Sequence, residues 1–72
     1  MKKIGNNYYA KVDVKHCGSF MVSSEIDMND DDVLSSCLDN ELIDSDDMQF
    51  SDVDSFIDEN DLKHFTSCTY NI

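Results

Sequence analysis

The sequence has no proline and no arginine, and its 72 residues include only two glycines and three cysteines. Missing arginine removes the side chain that grips phosphate with a planar fork, and five lysines against sixteen carboxylates leave no basic patch for nucleic acid. Direct nucleic-acid binding is therefore not expected. No Gly-rich loop offers a phosphate cradle, and no Ser or Cys sits in a nucleophile elbow, so the chain does not read as an enzyme. Nowhere does an apolar run approach the roughly 20 residues that span a bilayer. The cysteines, Cys17, Cys37 and Cys68, are odd in number, contain no C-x-x-C pair and follow a start, MKKIGNNYYAKV, that lacks the apolar stretch of a secretion signal. Reduced thiols and a cytoplasmic setting are the expectation. The absence of proline, with 40% hydrophobic residues, speaks against a disordered tail.

What the chain does have is negative charge, and it is concentrated. The formal net charge is −11, and fifteen of the sixteen carboxylates fall within residues 25–61, where no lysine occurs. The bases, Lys2, Lys3, Lys11, Lys15 and Lys63, all lie outside it. Val33, Leu34, Cys37, Leu38, Leu42, Phe50, Val53, Phe56 and Ile57 thread the same stretch, so it reads as folded structure with an acidic exterior. Anionic headgroups would repel such a surface, which makes a membrane an unsuitable partner.

From residue 8 to 16 apolar and polar positions alternate: Tyr8, Ala10, Val12, Val14 and His16 on one side, Tyr9, Lys11, Asp13 and Lys15 on the other. That period predicts a half-buried strand. A second strand is predicted over 19–26, with Phe20, Val22 and Ile26 inward. A three-residue loop pairing His16 with Phe20 sets Val14 against Val22, Val12 against Ser24 and Ala10 against Ile26, with Gly18 supplying a positive φ. Residues 1–7 show no periodicity and read as a frayed start.

Asn29 followed by Asp30, Asp31 and Asp32 is a helix start, an Asx cap with carboxylates in the first turn. Val33, Leu34, Cys37, Leu38 and Leu42 follow as one stripe. Glu41 falls inside that stripe at 100° per residue, so the helix is expected to end near Asn40 rather than bury a carboxylate. Ser51 and Asp54 resemble a capping box, and Phe50, Val53, Phe56 and Ile57 share one helical arc, which predicts a second helix over 52–59. Alternation from Leu62 predicts a third strand over 62–72. The expected fold is α+β: a three-stranded antiparallel sheet with two short helices on one face, in the order ββααβ, forming a single small domain over residues 1–72.

Metal sites are tested by spacing. An EF-hand begun at Asp27 places Asp32 where glycine is required and Leu38 where a bidentate Glu is required. His16, Cys17, Cys37, His64 and Cys68 are the possible soft ligands; on a strand, His64 and Cys68 stand about 13 Å apart, too far for one ion. Neither a metal nor another cofactor is expected.

The acidic surface remains. Helices that merely need solubility usually interleave Lys with Glu, whereas this stretch has no bases, and the whole chain uses thirteen Asp to three Glu. Asp30, Asp31, Asp32, Asp39, Asp44, Asp46, Asp47, Asp54, Asp58 and Glu59 form the candidate partner-binding set. In size, in the base-free run of carboxylates over 25–61 and in its compact αβ pattern, the chain resembles the small acidic inhibitors encoded by phages, the anti-CRISPR and DNA-mimic class. That resemblance implies a non-enzymatic inhibitor that occupies a basic nucleic-acid-binding groove of a partner protein. Two other readings stand beside it: an immunity or antitoxin protein covering a basic nuclease with the same carboxylates, and a small regulatory subunit that binds through its apolar hairpin and merely keeps its exterior acidic. Whether a free edge strand pairs in a homodimer is left open.

Crowding this charge into a small fold strains it, and salt relieves the strain because the Debye length falls to about 3 Å at 1 M. The melting temperature is expected to rise between low salt and 1 M NaCl in a calorimetric scan; a flat or falling value would refute electrostatic strain.

Overall fold

A computed structural model describes residues 1–15 and 18–72. His16, expected at the end of the first strand, and Cys17, expected in the loop after it, both among the possible soft-metal ligands, lie outside the described residues. Five strands and two helices follow in the order β1 (Lys2–Ile4), β2 (Asn7–Val14), β3 (Gly18–Ser24), α1 (Asp30–Asp39), β4 (Ser51–Asp54), α2 (Glu59–His64) and β5 (Thr69–Asn71). The α+β class holds, but the three-stranded antiparallel ββααβ arrangement does not.

The sheet is built outward from β2. Its first half pairs with β1 (Lys2↔Tyr9, Ile4↔Asn7), its second half pairs on the same side with β4 (Val12↔Val53, Val14↔Ser51), and its other side pairs with β3. All three pairings are antiparallel, whereas β5 joins β3 in parallel (Met21↔Thr69, Ser23↔Asn71), which makes the sheet mixed. Strand β1 corrects the expectation of a frayed start. Its hairpin is closed by Gly5 and Asn6, and Gly5 takes φ 65°, the positive first position that a type II′ turn requires.

The β2–β3 register is Val14↔Gly18, Val12↔Phe20, Ala10↔Val22 and Tyr8↔Ser24. Three residues separate the paired ends, as expected, and Gly18 has φ 91°. The pairing is nevertheless four residues away from the anticipated Val14–Val22 register. A shift by an even number preserves both faces, so alternation alone does not distinguish the two. Strand β3 ends at Ser24, and Ile26 is 63% exposed instead of facing inward.

On one face, Ala10, Val12, Val14 and Val22 form a buried cluster with Val33 and Cys37 of α1 and Ile43 beyond it. Each buried Val contributes about 1.5–3 kcal/mol. Met21 and Ile57 are also buried but stand outside this cluster. Met21 neighbours Val22 in the strand and so points to the opposite face. The chain from β4 to β5 must cross the sheet, and Leu62 and Phe65 do not join the α1 cluster. The segment between β4 and β5 therefore accounts for the cover of Met21, and α2, which has no buried residue, does not join α1 on its cluster, contrary to the expectation of two helices on one face.

The expected helix over 52–59 and strand over 62–72 are both displaced. Ser51–Asp54 is a strand because β2 offers it a free edge: Val53 pairs with Val12, and Ser51 Oγ donates to Asp47 O at 2.7 Å. A single Val between two Asp satisfies either period, so the pairing decides. The capping box occurs seven residues later, where Asp58 Oδ1 accepts from Asp61 N at 3.0 Å and Asp61 Oδ2 accepts from Asp58 N at 3.1 Å. The last strand shrinks to Thr69–Asn71, and His64 ends a helix instead of sharing a strand face with Cys68.

Helix α1 ends as expected. Asn40 is its C-cap, and Glu41 turns into the left-handed region with φ 60° and stays exposed. Leu42 N donates to Cys37 O at 2.9 Å and Glu41 N to Leu38 O at 3.1 Å, the two bonds of a Schellman motif with Leu42 folded onto the core. A left-handed residue with a Cβ costs about 1–2 kcal/mol, and glycine removes that cost at an entropic expense of about 0.5–1 kcal/mol. Glu41→Gly is thus expected to gain about 0.5–1 kcal/mol over Glu41→Gln in urea unfolding, the Gln variant matching the lost charge. Equal midpoints for the two variants would show that the backbone carries no strain there.

Candidate functional site

The carboxylates of the candidate set sort by element. Asp30, Asp31 and Asp32 occupy the exposed first turn of α1, whose cap is Asn29 Oδ1 accepting from Asp32 N at 2.8 Å. Asp39 closes the helix, and Asp44 and Asp46 are exposed in the connection that follows. All six stand on the α1 side of the sheet or next to it. None of them takes part in an ion pair among the described residues. Beside the helix start, Met1, Asp27, Met28, Asn29, Asp30 and Asp31 surround an open depression of about 660 Å³. The N-terminal ammonium meets Asp27 Oδ1 at 3.6 Å and donates to Met28 O at 3.4 Å.

The rest of the set does other work. Asp47 Oδ2 accepts from Asp44 N at 3.4 Å, Asp54 Oδ1 accepts from Phe56 N at 2.8 Å, and Asp58 caps α2. Asp54, Asp58 and Glu59 belong to the strand and crossing segment that lead over the Met21 face, so the ten residues do not form one continuous surface. The abundance of Asp has a local cause at these positions. A short carboxylate reaches the backbone N–H two or three residues away, which Glu does less well.

Sheet register adds a constraint that periodicity missed. Asp13 of β2 stands opposite Asp52 of β4, a like-charge pair, and Ser19 Oγ donates to Asp13 from the other side. Lys11, one pair along on the same face, stands opposite Asp54. Acidic residues thus occur on the sheet as well as on the helical layer.

The soft-ligand candidates are dispersed. Cys37 is buried in the α1 cluster, Cys68 is exposed before β5, and both are free thiols. Among the described residues, no group of three or more His, Cys, Asp or Glu side chains is arranged to hold a metal ion. No helix among them is long and apolar enough to cross a membrane. Comparison with protein families, with characterised proteins and with solved structures finds no match for the chain.

Burial pushes the Cys37 thiol from 9.0 up to about 11 by penalising the thiolate. The folded state therefore favours the neutral thiol. The corresponding stability is complete below pH 9.0 and is lost as pH climbs through about 11. Wild type should lose more melting temperature than Cys37→Ala between pH 8 and pH 11, and native protein at pH 8 should titrate Cys68 with a thiol reagent while sparing Cys37. Parallel pH profiles, or equal labelling of the two thiols, would contradict this placement.

Proposed function

We propose that the protein is a non-enzymatic inhibitor that presents its α1-side carboxylates to a basic nucleic-acid-binding groove of a partner protein. The observation that supports this most directly is the group Asp30, Asp31, Asp32, Asp39, Asp44 and Asp46: all six are exposed, and none is neutralised by an ion pair among the described residues. Duplex DNA carries one negative charge per about 1.7 Å of axis. A row of uncompensated carboxylates held by a capped helix offers a groove evolved for phosphates a similar field. Asp54, Asp58 and Glu59 serve this reading less well, because they belong to the other side of the sheet and two of them hold backbone turns.

Binding of this kind is steered by charge, so association is fast and weakens steeply with salt, and nucleic acid competes for the groove. The test begins with affinity capture from the host and uses the retained protein as the binding partner. Asp30, Asp31 and Asp32 together replaced by Lys should abolish binding with an unchanged circular-dichroism spectrum, whereas Glu59→Lys should leave it nearly intact. Simultaneous, salt-insensitive binding of this protein and nucleic acid to the partner would refute charge mimicry and favour a subunit that docks through its β2–β3 hairpin. A captured nuclease whose active site is covered would instead favour the immunity-protein reading.

A further inference from the structure

Between the start of β3, the turn that ends α1 and the beginning of β5 lies a groove of about 390 Å³, within the size range of ligand sites. Phe20 and Tyr70 line it as an edge-to-face pair, with ring centroids 5.8 Å apart and planes at 81°. Leu42 and Ile43 add apolar wall, the carboxylates of Glu41 and Asp47 supply charge, and none of the lining residues is basic. Asp47 uses Oδ2 for the Asp44 N–H, and among the described residues Oδ1 accepts no hydrogen bond. Glu41 occupies a left-handed position where glycine is the cheaper residue, so this chain keeps a carboxylate at the rim at a cost in stability.

We infer that this groove receives an arginine side chain of the protein partner. The argument rests on the reading that the partner is a basic nucleic-acid-binding protein, and on charge complementarity at the groove itself. A guanidinium is planar and weakly hydrated, stacks on aromatic rings and pairs with carboxylates through two parallel N–H bonds. Aromatic walls with two carboxylates at the rim match that chemistry better than they match a compact, strongly hydrated ammonium. Arginine is also a side chain that basic grooves use against phosphate, so the groove would disarm a residue whose ordinary partner is DNA or RNA. Glu41 lies outside the candidate set read from the sequence because its role depends on β5 closing beside it.

The test uses two probes in near-physiological salt, read by amide and aromatic NMR shifts: a blocked Gly-Arg-Gly tripeptide and a hexa-arginine peptide. The tripeptide should give saturable shifts at Phe20, Glu41, Leu42 and Tyr70, with affinity about tenfold weaker in both Glu41→Gln and Glu41→Gly. Because Glu41→Gly is expected to be the more stable protein, its loss of binding cannot be assigned to unfolding. If hexa-arginine shifts Asp30, Asp31 and Asp32 while the groove stays silent to both probes, the groove assignment is wrong and the acidic-surface reading stands. If neither peptide binds, both fall.

Discussion

Strand β2 carries hydrogen bonds along both of its sides, and every other strand depends on that. Strands β1 and β4 divide one side between them, β3 takes the other, and β5 is attached through β3. Ala10, Val12 and Val14 are buried because α1 lies across them, and α1 can lie there because its Val33 and Cys37 fall one helical turn apart. A strand with partners on both sides has no slack in register. Like charges such as Asp13 and Asp52 are then held opposite each other by the backbone ladder, not by any attraction of their own.

That ladder also explains how a chain with so many carboxylates keeps a fold. Apolar burial and backbone pairing are confined to a small centre, while the acidic residues divide between two tasks. Asp54, Asp58 and Asp61 close turns and helix ends by accepting backbone N–H bonds, which lowers the cost of ordering short segments. Asp30, Asp31, Asp32, Asp39, Asp44 and Asp46 accept no such bond among the described residues and simply project charge. A composition that looks uniform along residues 25–61 is therefore two populations in space.

Local chemistry was the legible part of the sequence. The alternation of β2, the Asn29 cap, the stripe through Val33 and Cys37 and the turn at Asn40 are each decided within a few residues, and the structure keeps them. The pairing of β4 with β2 depends on a vacancy at the edge of β2 that no window around Val53 contains. The four-residue offset of β3 leaves the faces unchanged and so leaves no trace in periodicity. Strand β1 did leave a trace, the Gly5-Asn6 pair between Ile4 and Asn7, a known hairpin signal. The carboxylates themselves were visible from the sequence. Their division between two sides of the sheet was not, because it follows from where the segment after β4 crosses.

The parallel pairing of β3 with β5 imposes an order in time. Met21 and Thr69 are neighbours in the sheet but distant along the chain, so the ladder between them forms only after residue 69 has left the ribosome. Until then β3 presents an open edge and Met21 lacks its cover, a state open to edge-to-edge association. The uncompensated carboxylates keep two such nascent chains apart by mutual repulsion. The same charge that strains the finished fold can in this way protect its synthesis.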